Sequence, residues 1–314
     1  MGKTAYDVYR YSDIVVLVFG IIGNTLVVVS MLTQAMKSNY YFLVLQLAIC
    51  DLGVLIIYLS DHINSHMLLE QFLDSSTKRY CFGLHISLFF QVAGLGMMLI
   101  ISMLRYRAIV HPWKPTISRQ KLKVVCALVY IVGFIAGYGT YVPVCFMNDA
   151  AVVYKKFYFG YFVFCFYFFP PIFMAVVYYK IGRAVIEQNK HMKSICSSPV
   201  RRSAPNSSFN TLKFIRNRRT VLVCICTALC YGVGNIPFSV WFMCYVVAGE
   251  YHLLMKYVWV EYLASVLRVA GSHSVNPLIY GILDKKLFTF WKCCRKKNSK
   301  QKTRETLTDP VASV

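Results

Sequence analysis

The sequence predicts an all-α protein, a seven-transmembrane helix bundle followed by an eighth, amphipathic helix on the inner leaflet. Three observations carry this expectation. With 57% apolar and only 15% charged residues among 314, the chain has too few polar groups to clothe a soluble globule. Runs of about 20 mostly apolar residues, the length that crosses a hydrocarbon core, recur at Ile14 to Leu32, Tyr41 to Leu59, Phe82 to Leu104, Leu122 to Phe146, Phe157 to Tyr179, Val221 to Val247 and Tyr257 to Leu283. Of the 34 Lys and Arg, 26 fall in alternate connections and the tail, counting Lys123 at the very start of the fourth span with the loop before it, 7 in the amino terminus and the other connections, and Arg268 within a span. By the positive-inside rule the amino terminus is then extracellular and the tail cytoplasmic. This places the chain in the cell membrane as a multi-pass protein: a short extracellular segment 1–13, a membrane domain 14–283 with a basic cytoplasmic loop 180–219, and a helix and tail 284–314.

The net charge of +21 is accounted for by this topology and by anionic inner-leaflet lipid, so nucleic acid is not an expected partner. The first apolar run has no small-residue cleavage site and reads as its own targeting signal. Most of the 12 cysteines lie in spans or cytoplasmic segments, where they act as small buried apolar groups.

Taken in order, the first span carries an amide at Asn24 and the second a mid-span carboxylate at Asp51. Polar groups at this depth need partners from other helices and should face the bundle interior. His62 and His66 have helical i, i+4 spacing but no third ligand nearby, so they read as solvated histidines and no metal site is expected. The third span ends in Arg105, whose stem can lie in the apolar layer while its head reaches the rim. The fifth begins as an aromatic wall from Phe157 to Phe169, mostly a lipid-facing and interfacial feature. In the sixth, Pro237 removes a backbone hydrogen bond and permits a kink. The seventh contains Glu261 and Arg268, functional candidates because charge in a span is costly. Beyond it, Leu287, Phe288 and Trp291 form an apolar stripe beside Lys285, Lys286 and Lys292, as in a helix lying on a membrane surface. Cys293 and Cys294 at its end are palmitoylation candidates.

Two stretches carry a family resemblance. Leu104-Arg105-Tyr106 followed by His111-Pro112, and Asn276-Pro277-Leu278-Ile279-Tyr280, resemble the third-helix and seventh-helix motifs of rhodopsin-like G-protein-coupled receptors. Gly23-Asn24, Leu47-Ala48-Ile49-Cys50-Asp51, Pro170 with Tyr178 and Ile181, and Pro237 resemble the family's patterns in the intervening helices. The resemblance implies a receptor, not an enzyme, which binds an extracellular ligand and activates a heterotrimeric G protein. Arg105, Tyr106, Tyr178, Asn235, Pro237, Asn276, Pro277 and Tyr280 would form the activation and coupling machinery. Asn24, Asp51, Ser272 and Asn276 would form either an allosteric sodium site or a polar network without the ion. Cys81 and Cys145 would form the disulfide tying the third helix to the following extracellular loop. Ser87, Gln91, Tyr231, Trp241, Glu261 and Arg268 are the ligand-pocket candidates.

The departures from the family pattern are as informative. Leu104 replaces the acid beside the arginine, Gly94 stands at the expected third-helix hydroxyl, Cys81 lies one residue closer to Arg105 than is usual, and Asn235 replaces the sixth-helix tryptophan. Ser87 stands where amine receptors carry an acid, and Ala270 where opsins carry the retinal lysine. The ligand expected is therefore a peptide, as in neuropeptide receptors. Without the acid, and with Arg218 and Arg219 near the inner end of the sixth span, Arg105 is expected to be loosely restrained and basal activity high. The competing readings are a decoy receptor that couples poorly and, from another class, a membrane transporter.

Overall fold

The computed structural model describes residues 3–33, 39–67, 73–146, 160, 164–196, 222, 225–241, 243–244 and 258–283. These form α1 (Lys3–Thr33), α2 (Asn39–Met67), α3 (Leu73–Val110), α4 (Arg119–Phe146), α5 (Phe169–Cys196), α6 (Ile225–Trp241), α7 (Val258–Val269) and α8 (Asn276–Leu283). Short π-helical segments, Phe164–Phe168 and Ala270–Ser274, lead into α5 and join α7 to α8. There is no strand among the described residues. Helices satisfy their own backbone polar groups, which is what a chain crossing hydrocarbon requires.

Five helices are long and apolar enough to cross a membrane, over Tyr11–Leu32, Asn39–Ile63, His85–Val110, Arg119–Gly139 and Phe164–Gln188. They correspond to the first five spans read from the sequence, and several helices extend past the apolar runs because polar ends continue the same hydrogen-bond ladder. Ile225–Trp241 supplies the described part of the sixth span. The seventh is not one helix but α7 and α8 with a π segment between them.

α3 is the axis of the bundle, packed against α2, α4 and α5. The main core joins Met31 of α1, Leu43 and Leu47 of α2, Met97 and Ile101 of α3, Leu122 of α4 and Met174 of α5, all essentially sealed from the surface. Large apolar side chains such as Phe19, Leu128, Ile131, Ile135 and Ile172 face outward. In water that would be a liability; against lipid tails it costs nothing.

α6 and the seventh span approach backbone to backbone at Gly234 and Gly271. A Cβ added at Gly234 would lie 2.8 Å from the Leu267 carbonyl oxygen, and one at Gly271 would lie 3.0 Å from Gly234 Cα. Small residues permit such close crossings in membranes, and this one brings the polar side chains of α6 within reach of the seventh span.

Candidate functional site

The π segment determines which side chains enter the bundle. The Val275 N–H reaches back five residues to the Ala270 carbonyl at 3.0 Å, so the turn holds an extra residue. Three consecutive residues of a regular α-helix fan over about 200°, yet Ser272, His273 and Ser274 are all buried here. Between them they address three neighbouring helices.

Asp51, on α2, lies at the centre of the resulting network and is 1% exposed. His273 Nδ1 lies 2.8 Å from one carboxylate oxygen, and Asn276 Nδ2 donates to the other at 2.8 Å. Asn276 also donates to the Ser272 carbonyl at 2.8 Å. From α1, Asn24 Nδ2 donates to the His273 carbonyl at 3.0 Å and to Gly20 O at 2.9 Å, while Ser274 Oγ donates to the Val16 carbonyl at 3.0 Å. From α6, Asn235 Nδ2 donates to Ser272 Oγ at 2.5 Å and to its own helix at the Tyr231 carbonyl. Asn235 thus joins the Asp51 network through the seventh span. A buried carboxylate with two N–H donors is a satisfied group, and here it ties α1, α2, α6 and the seventh span together.

A second cluster lies toward the end of the bundle that carries the amino terminus. Gln91 Nε2 of α3 and an Arg268 terminal nitrogen both donate to the Tyr58 hydroxyl of α2 at 2.8 Å. The Arg268 guanidinium also lies 4.0 Å over the Phe238 ring of α6, and Phe238 packs against Trp241 at 6.0 Å. Aromatic faces hold a guanidinium through their quadrupole. Ser87 is buried nearby on α3, and the Tyr231 hydroxyl donates to the Phe166 carbonyl at 3.1 Å. A small cavity bounded by Gln91, Phe166, Tyr231, Asn235, Ser272 and His273 connects this cluster to the Asp51 network. At the same end His62 is bonded to the buried Asp13. This corrects the expectation of a solvated histidine, because the long α1 brings its carboxylate against α2.

At the opposite end, Arg105 lies 3.9 Å over the Tyr40 ring at the start of α2. Among the described residues it makes no ion pair. The Tyr178 hydroxyl is paired with Ser102 Oγ at 2.6 Å, three residues before the arginine. Tyr106 packs edge-on against His111 at 5.6 Å. The following loop is tied down by Arg107 donating to the Pro115 carbonyl at 3.1 Å and Asn39 donating to the Ile117 carbonyl at 2.7 Å.

Pro237 lies within α6, and Pro277 is packed so closely that a Cβ added at Gly23 would meet it at 3.0 Å. The side chains of Cys81, Cys145, Glu261 and Tyr280, together with Cys293, Cys294 and all of 284–314, lie outside the described residues. The sequence reading missed His273, Tyr58 and Tyr40. For His273 a signal was present: the polar run Gly271-Ser272-His273-Ser274 interrupts an apolar span, and the histidine stands one helical turn before Asn276.

The family model described as 7 transmembrane receptor (rhodopsin family) matches residues 23–280. The chain belongs to the rhodopsin family of seven-transmembrane receptors. It is thus a multi-pass membrane receptor that signals through G proteins, and not an enzyme. Among solved structures it is similar to squid rhodopsin, with a TM-score of 0.73 and 14% identity over 100% of this chain and 94% of that one. At that identity the likeness speaks for the fold alone. No curated protein matches the chain.

Proposed function

We propose that this rhodopsin-family receptor takes a peptide at the Tyr58, Gln91 and Arg268 cluster and signals to a heterotrimeric G protein with substantial activity before any ligand binds. One observation carries the basal activity. Arg105 has a leucine for a neighbour, and its guanidinium rests on the Tyr40 ring at 3.9 Å with no ion pair among the described residues. A two-state receptor that loses about 1 to 3 kcal/mol of restraint shifts its populations by roughly 5- to 150-fold. The cation–π contact supplies only about 0.5 to 2 kcal/mol in exchange.

The peptide reading rests on chemistry. A guanidinium, a primary amide and aromatic rings converge from α2, α3, α6 and α7, a mixture suited to carboxylate, amide and side-chain groups presented together. Opsin and amine chemistry lack their key residues, since Ala270 and Ser87 stand at those positions. The excess of 26 over 7 basic residues supports an extracellular amino terminus, with the Arg268 cluster facing extracellular ligand and Arg105 facing the cytosol. Basic segments on the cytosolic side meet anionic lipid, with Cys293 and Cys294 as lipidation sites and Cys81 with Cys145 as the extracellular disulfide.

The test is nucleotide exchange on a panel of purified G proteins, driven by the ligand-free chain in lipid nanodiscs. Exchange above the receptor-free rate that disappears in Arg105→Ala is the expected result. Silence across the panel from correctly folded chain contradicts the proposed basal activity.

A further inference from the structure

The family resemblance implies either a sodium ion or an ion-free polar network at Asp51, and the donor set around that carboxylate argues against the ion. Hard cations of this kind want several oxygen ligands. Here one Asp51 oxygen faces His273 Nδ1 and the other faces Asn276 Nδ2, each at 2.8 Å. With Asp51 ionised, as a bound cation would require, the carboxylate only accepts, so both contacts are made by N–H groups, with His273 in its Nδ1–H tautomer. The Ser272 hydroxyl oxygen receives Asn235, and the Ser274 hydroxyl is turned away to the Val16 carbonyl. On α3 the expected hydroxyl is absent. Gly94 stands there, and a Cβ placed on it would already touch Cys50 Cβ at 3.3 Å and Leu47 Cδ1 at 3.6 Å. Asn276 Oδ1 is a buried oxygen without a hydrogen-bond partner, but one oxygen does not make a cage.

We propose that His273 takes the place of the ion: its ring N–H, delivered by the π segment, occupies the side of the Asp51 carboxylate where a sodium ion would have to bind. The substitution is covalent. The ring belongs to the seventh span, and its own backbone carbonyl is held by Asn24 of α1 at 3.0 Å. The core therefore carries a permanent cross-link between α2 and the seventh span, where a diffusible ion would make the link depend on salt. The consequence is a receptor whose stability and resting state are indifferent to sodium. This inference concerns the polar core alone and is independent of the ligand and of the basal activity proposed above.

The test is thermal unfolding of the purified full-length chain in sodium chloride against N-methylglucamine chloride at equal ionic strength. The wild-type midpoint is expected to be the same in both. In His273→Ser, which removes the N–H donor and leaves an oxygen, sodium is expected to raise the midpoint by about 2 °C or more, the shift that specific binding to the folded state produces. Adding Asp51→Asn should abolish that response and assign it to this carboxylate. His273→Gln, which retains an N–H donor, should remain indifferent. A wild-type midpoint that rises with sodium overturns the proposal, and so does a folded His273→Ser chain as indifferent as the parent. Should His273→Ser fail to fold, the wild-type comparison still decides.

Discussion

Removing the Asp51 carboxylate is the perturbation whose cost the structure defines most closely. In Asp51→Ala, the His273 and Asn276 N–H groups that now lie 2.8 Å from carboxylate oxygens become buried donors without acceptors. Each orphaned group costs about 1 to 3 kcal/mol, which sets an upper range of about 2 to 6 kcal/mol for the pair. Interhelical hydrogen bonds in membranes average about 0.6 kcal/mol, and two at that value set a floor of about 1 kcal/mol. The carboxylate bonds belong in the upper part of this window because the acceptor is a carboxylate 1% exposed, and bonds to charged groups are the stronger kind. At about 2 to 4 °C per kcal/mol, Asp51→Ala should lower the unfolding midpoint by about 5 to 15 °C. Asp51→Asn keeps one acceptor and turns an amide N–H₂ toward the other donor, so it should lose about half as much. The assay is the fraction of monodisperse receptor surviving a heating series in matched detergent. A double-mutant cycle with His273→Leu should show strong coupling, since the two residues share one bond. An Asp51→Ala chain within about 0.5 kcal/mol of the parent, the range of ordinary surface substitutions, would refute the view that this carboxylate holds the core together.

Other predictions follow from the same geometry. Gly271→Ala puts a Cβ 3.0 Å from Gly234 Cα and against the Cys230 carbonyl, so it should cost about 1 to 3 kcal/mol of thermal stability, as overpacking does. Tyr40→Leu removes the ring under Arg105 and should raise ligand-free nucleotide exchange by roughly 2- to 30-fold for a contact worth about 0.5 to 2 kcal/mol, whereas Tyr40→Phe should leave it near the parent rate. Asn235→Leu cuts the link from α6 to Ser272 and should change basal exchange and ligand efficacy together; unchanged values of both would exclude it from the switch. Once a ligand is in hand, Arg268→Gln should weaken its binding at least tenfold while leaving basal exchange intact, measured by radioligand competition beside exchange.

Much of the fold was legible because lipid imposes a simple rule. A backbone without water must be helical, so apolar length alone located the spans. Asp51, Asn24, Ser272 and Asn276 were likewise legible, since polar groups deep in apolar runs have little choice but to find one another. The histidine partner of Asp51 was not. On a regular helix His273 would have no privileged claim to face inward, and its burial depends on an i to i−5 bond at Ala270 that no periodicity announces. Tyr40 escaped notice for a different reason. Its contact with Arg105 joins positions 40 and 105 across the packing of α2 against α3, and a tyrosine at a membrane boundary reads as an interfacial anchor. The partner of His62 depended in the same way on how far α1 extends beyond its apolar run.

We propose that Arg105 is held only lightly, because Leu104 stands where an acid would hold it. Restoring the acid tests this most directly. Ligand-free nucleotide exchange should be high in the parent chain, fall by roughly 5- to 150-fold in Leu104→Asp as about 1 to 3 kcal/mol of restraint returns, and vanish in Arg105→Ala. Exchange that is unchanged or rises in a correctly folded Leu104→Asp chain would contradict the account.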